Sequence, residues 1–72
     1  MRVEPHELDA LRVRCTLKQW AAVALWNSGH GWRRIGVYLN IAPTTAKGRV
    51  VGGLKRSGMD YEEVITRNAK VG

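Results

Sequence analysis

Residues 35–58 read IGVYLNIAPTTAKGRVVGGLKRSG, and the apolar spacing within them decides the fold. Ile35 and Leu39 stand one helical turn apart, Ile41 follows alone, and Ala46, Val50 and Leu54 recur at four-residue steps. Four-residue steps keep side chains on one helix face, so the run predicts two helices joined by a tight turn. Such a pair needs an apolar couple on its first helix, an apolar plug in the turn and an apolar stripe on its second. It also needs a small residue where the two backbones approach, and Gly36 supplies it. Asn40 is the non-glycine residue type best able to take a left-handed turn conformation. Pro43 marks the first turn of the second helix, and Gly58 stops it.

Helix signals recur on both sides of this unit. Pro5 suits the first helical position after Glu4, with Glu7 and Asp9 favouring the positive helix start. Leu8, Leu11 and Val3 give that short helix its apolar side. Thr16-x-x-Gln19 reads as a capping box opening another helix, along which Trp20, Val23 and Ala24 recur at helical spacing. Asn27-Ser28-Gly29 ends it, and a further helix runs from about Trp32 to Leu39. Asp60-x-x-Glu63 caps a last amphipathic helix carrying Tyr61, Val64, Ile65 and Ala69. The sequence therefore predicts an all-α fold, a compact four- to five-helix bundle containing a helix-turn-helix. Its predicted divisions are an N-terminal helical extension (1–15), a helix-turn-helix domain (16–69) and a frayed tail (70–72).

Seventy-two residues make one domain with a marginal core, leaving little room for a deep catalytic pocket. A hydrophobic content of 44% argues for a folded unit rather than a disordered basic tail. No apolar run approaches the ~18 residues of a membrane span, and the N-terminus lacks a signal peptide's apolar region. The single cysteine, Cys15, cannot staple the domain and fits a reducing cytoplasm. His6, His30 and Cys15 are irregularly spaced and lack a fourth ligand, so no metal and no cofactor is expected. Neither a Ser/His/Asp set nor a paired-carboxylate site is present, which argues against an enzyme.

Charge is distributed with one sign per region. Between Thr16 and Gly58 lie seven Lys or Arg residues and no Asp or Glu, whereas all six acidic residues sit in the flanks. The net charge of +6 thus resides almost wholly in the middle, the footprint of a polyanion binder.

From Ile35 to Gly58 the order resembles, without a gap, the DNA-binding region of LuxR/GerE-type regulators. That pattern is broadly I-A-x-x-L-x-I-S-x-x-T-V-K-x-x-V-x-x-x-L-x-x-x-G. Here it stands as Ile35-Gly36, Leu39, Ile41-Ala42, Thr45-Ala46-Lys47, Val50, Leu54 and Gly58. Sigma factor region four shares the architecture. The chain departs from the pattern at Ala42, where a capping Ser worth about 1 kcal/mol is missing. Gly48, Gly52 and Gly53 each cost about 1 kcal/mol relative to Ala within a helix. The second helix is accordingly expected to be weak without DNA or to end near Val51.

Projection at 100° per residue turns Ala46, Val50 and Leu54 inward and Thr44, Gly48, Val51, Gly52 and Lys55 outward. Residues near the start of a recognition helix reach base edges, which assigns Thr44, Thr45, Lys47 and Arg49 to that task, with Gly48 allowing close approach. Gly48 and Gly52 are read alternatively as a contact with another helix, or as neither. Arg33 and Arg34 are expected to clamp phosphates, helped by Lys18, Lys55 and Arg56. Trp32 is placed either against the sugar-phosphate backbone or as a staple into the core. Trp20 is expected in the core, and Trp26 in the core, at the domain edge or against a partner.

These features point to a cytoplasmic, nucleoid-associated protein, bacterial or phage-encoded, that binds double-stranded DNA by sequence and regulates transcription. The resemblance implies a homodimer through Tyr61, Val64, Ile65 and Ala69, with packing of that helix onto its own core as the alternative. Two other readings fit the same residues. One is a protein-interaction module for a partner in the transcription machinery, the other a DNA-recognition component of packaging or recombination.

Overall fold

The computed structural model describes residues 2–69, Ala69 by its backbone alone. Five helices form: α1 (Pro5–Arg14), α2 (Leu17–Asn27), α3 (Trp32–Leu39), α4 (Pro43–Arg56) and α5 (Tyr61–Ala69). The all-α class and the order of helices are those the sequence predicts. The expected frayed tail, 70–72, lies outside the described residues.

Local chemistry places the boundaries. Pro5 and Pro43 occupy first-turn positions of α1 and α4, where a missing N–H costs nothing. The Gln19 N–H donates to Thr16 Oγ1 at 3.2 Å while the Thr16 N–H donates to Gln19 Oε1 at 3.1 Å, the reciprocal box that opens α2. At the other ends, Gly29 (φ 101°), Asn40 (φ 57°) and Gly58 (φ 78°) turn the chain out of α2, α3 and α4.

Ala46, Val50 and Leu54 are wholly buried, and α4 packs against each of the other four helices. This makes α4 the hub of the bundle. Contrary to expectation, α4 does not stop near Val51 but continues to Arg56. The reason is close packing on α2. A Cβ added at Gly53 would lie 2.9 Å from Cys15 Sγ and 3.2 Å from Val23 Cγ2, so only glycine admits this approach. Burial against α2 offsets what glycine costs in helix propensity. In the same corner, burial pushes the Cys15 thiol above its usual 9.0, outweighing the Ser57 hydroxyl and the Arg56 charge.

Residues 2–15, expected within an N-terminal extension, pack against the helices that follow. Val3 and Leu11 are buried in the same core as α2, α3 and α4. The buried Asn27 side chain accepts the backbone N–H groups of Arg2 (2.7 Å) and Val3 (3.0 Å), satisfying a polar group that burial would otherwise penalise. Arg2 also donates through Nε to the Trp26 carbonyl at 2.7 Å. From the other end, Asn68 Nδ2 donates to the Arg2 carbonyl at 2.9 Å, and Arg67 makes a two-pronged pair with Glu7 at 2.9 and 3.2 Å. The Arg67 contact holds the Glu7 carboxyl below its ordinary 4.5, although partial burial acts against it.

Of the tryptophans on α2, Trp26 takes the core position expected among its roles, while the expectation for Trp20 is corrected. Trp26, not Trp20, is the buried one, and Trp20 is only half-buried beside the core. Helix α2 is apolar nearly all round from Trp20 to Trp26, so its spacing has little contrast. Its neighbours decide which stripe faces in: Ala22, Val23, Trp26 and Asn27 are buried.

Candidate nucleic-acid interface

The α3–turn–α4 unit is held by one very close approach. The Ile41 N–H donates to the Gly36 carbonyl at 2.9 Å, and a Cβ on Gly36 would lie 2.6 Å from the Ile41 carbonyl oxygen. Glycine there is a steric requirement of this turn. Ile35 is fully buried beneath it, with Leu39 and Ile41 half-buried against the core.

Helix α4 is inserted unevenly. Pro43, Thr44, Thr45, Lys47 and Gly48 are exposed, and the later half carries buried Val50, Gly53 and Leu54. Arg49, Val51 and Gly52 are half-buried, so the outward projection of Val51 and Gly52 is corrected. Gly52 faces Gln19, whose Nε2 would lie 3.3 Å from an added Cβ, whereas nothing lies within 4 Å of one at Gly48. The helix contact is therefore made by Gly52 and Gly53, and Gly48 stands outside it.

Two positive helix ends border this surface. Ala42 before α4 and Gly31 before α3 provide no side-chain cap. Backbone N–H groups of each first turn therefore lack an intrahelical partner. Arg33 and Arg34 project from the first turn of α3 and are exposed, as are Lys18, Lys55 and Arg56. Among the described residues, no ion pair involves any of the seven cations between Thr16 and Gly58. Two of them have other contacts. Arg56 Nε donates to the Arg14 carbonyl at 2.7 Å, tying α4 to the end of α1, and Lys47 Nζ lies 5.6 Å above the Tyr61 ring.

Trp32 sits at the edge of this surface with its ring turned inward. It stacks nearly parallel to Trp26 at 6.5 Å, and Tyr61 tilts against both at 6.1 Å. That arrangement is the core staple, not a ring laid on a sugar-phosphate backbone. Tyr61 and Ile65 are likewise half-buried against the core and Val64 is 3% exposed, so the apolar face of α5 covers its own domain. The internal packing weighed as the alternative for this helix is present at Val64, with Tyr61 and Ile65 part-exposed; the Ala69 side chain lies outside the described residues.

Sequence spacing missed two exposed apolar residues on α3, Val37 and Tyr38, at 81% and 62% exposure. Val37 helps line a shallow groove of about 450 Å³ with Arg33, Asn40 and Pro43. They fall outside every apolar stripe, and that was the available signal. Among the described residues no three His, Cys, Asp or Glu side chains converge as metal ligands, and no helix is long and apolar enough to cross a membrane. No protein-family model, curated protein or solved structure matches this chain.

Proposed function

We propose that this protein binds double-stranded DNA through α4 and acts as a LuxR/GerE-like helix-turn-helix regulator of transcription. One observation carries the proposal: the exposed first half of α4 lies in a segment whose seven cations meet no carboxylate. A recognition helix needs this arrangement, because its N-terminal residues reach base edges while the remainder anchors it to the domain. Thr44, Thr45, Lys47 and Arg49 read the major groove, and Gly48, with open space above it, permits close backbone approach. Arg33 and Arg34 hold phosphates at the uncapped start of α3, assisted by Lys18, Lys55 and Arg56. For duplex contact Lys47 leaves the Tyr61 ring, an exposed interaction worth only about 0.5–1 kcal/mol.

Selection from random-sequence duplex DNA at two salt concentrations tests the proposal. With about five phosphates neutralised, log K falls with log salt at a slope near −4 to −5. Lys47→Ala with Arg49→Ala abolishes sequence preference while helical content persists. Unchanged low-salt affinity in that variant refutes direct readout. A second reading, docking onto a protein of the transcription machinery, draws on exposed Val37 and Tyr38. Val37→Ser/Tyr38→Ser leaves DNA affinity intact and removes that docking.

A further inference from the structure

We infer that the chain associates head to tail with a second copy of itself, the α1–α2 corner of one copy seated in the groove between α1 and α5 of the next. Its consequence for DNA rests on the proposed function; the association itself does not.

The groove has a volume of about 690 Å³ and is lined by Met59 and Val64 with Glu7, Asp60, Glu62 and Glu63 around them. Arg67 holds Glu7, whereas the exposed Asp60, Glu62 and Glu63 take part in no ion pair among the described residues. The corner carries the opposite chemistry. Val13 is 80% exposed and Leu17 87%. Around them stand exposed Arg12 and Arg14. Of these, only Arg12 has an acidic partner, Asp9 at 3.6 Å, and that pair is open to solvent. An apolar-floored acidic groove and a basic corner with two aliphatic prongs are complementary in both charge and polarity.

The two surfaces occupy opposite ends of α1, since Glu7 and Val13 are separated by about 9 Å of helix rise. Neither surface complements itself: two such grooves repel, and so do two such corners. A two-fold dimer through either is disfavoured, and the apolar face of α5 is already covered. Joining the unlike surfaces head to tail is heterologous and propagates, whereas a reciprocal pairing across a two-fold closes as a dimer, and sedimentation separates the two. Where copies joined this way bind one duplex, the binding site repeats directly and is not a palindrome.

The test uses the full chain in sedimentation velocity from micromolar to millimolar concentration at low and high salt. The sedimentation coefficient rises with concentration at low salt, without levelling at a dimer, and the rise is lost at high salt. Glu62→Lys/Glu63→Lys and Val13→Glu/Arg14→Glu each abolish it, and their equimolar mixture restores it, because each reversed surface then meets its complement. These side chains are exposed, and circular dichroism verifies folding; should the Lys variant unfold, the corner variant tests the contact independently. Random-sequence duplexes of about one and two helical turns, at ~10 bp per turn, supply the second measurement. On the longer duplex a second copy binds on the order of 10-fold more tightly than the first, and each variant loses that gain. A wild-type chain that stays monomeric throughout, saturates as a closed dimer, or is not restored by mixing overturns the inference. Absence of binding to the shorter duplex overturns the DNA reading alone, and sedimentation still decides the association.

Discussion

Two helical glycines respond to alanine with opposite sign. At Gly36 a Cβ would lie 2.6 Å from the Ile41 carbonyl oxygen and 3.5 Å from the Pro43 nitrogen. Ordinary contact begins near ~3.5 Å, so the turn must retreat by roughly 1 Å. The obstructing oxygen is backbone, and the left-handed Asn40 and the Pro43 ring limit how the turn moves. Overpacking of this kind costs about 1–3 kcal/mol, against which alanine returns about 1 kcal/mol of helix propensity. Gly36→Ala therefore destabilises by up to about 2 kcal/mol, a loss of roughly 4–8 °C in Tm per kcal/mol for a domain of this size. At Gly48 nothing lies within 4 Å of the added carbon. Gly48→Ala thus stabilises by about 1 kcal/mol. Urea and thermal unfolding monitored by circular dichroism give both values. A Gly36→Ala variant at least as stable as the parent would refute the steric reasoning, and the LuxR/GerE pattern, which has Ala there, makes that outcome a meaningful one. Gly48→Ala has a second consequence: if the glycine serves close approach to DNA, affinity falls although stability rises.

The Glu7–Arg67 pair makes stability depend on acid. Because the folded Glu7 carboxyl titrates below its ordinary 4.5, the contribution of the pair is complete above that value and fades as pH falls through the lowered one. Tm of the parent should exceed that of Glu7→Gln at neutral pH and converge with it in strong acid; a gap constant across the acid range contradicts this. The half-buried Cys15, with its thiol raised by burial, should alkylate far more slowly in the native protein than in urea, and equal rates would place it in solvent. Trp26→Ala removes the largest fully buried side chain together with its stacking on Trp32 and Tyr61, and should cost about 3–5 kcal/mol. In a 72-residue domain that loss is seen as unfolding near ambient temperature, and a cooperative transition at the parental Tm argues against the aromatic cluster as the keystone.

Much of the backbone path was legible because its determinants are local. Thr16 with Gln19, Pro5, Pro43, Asn40, Gly29 and Gly58 act within a few residues of themselves, and each stands at a helix end as its chemistry requires. The Ala46–Val50–Leu54 stripe was equally plain, since Val51 apart, only charged or glycine residues separate its members on the helix. Where contrast vanished, so did legibility. Along α2 the apolar residues surround the axis, and the choice of Trp26 over Trp20 came from what α3 and α5 set beside it.

By itself the sequence determined the all-α class, the helix ends, the buried stripe of α4 and the confinement of basic charge to its middle, because propensity, capping and composition require no knowledge of distant neighbours. The tertiary structure alone decided that Val3 and Leu11 join the core, that Gly52 and Gly53 admit α2, that Val64 packs α5 onto its own domain, and that the start of α4 is open on every side but that of Ala46. Each of these depends on which residues far apart in the chain come within a few ångströms of one another, a quantity no local pattern carries.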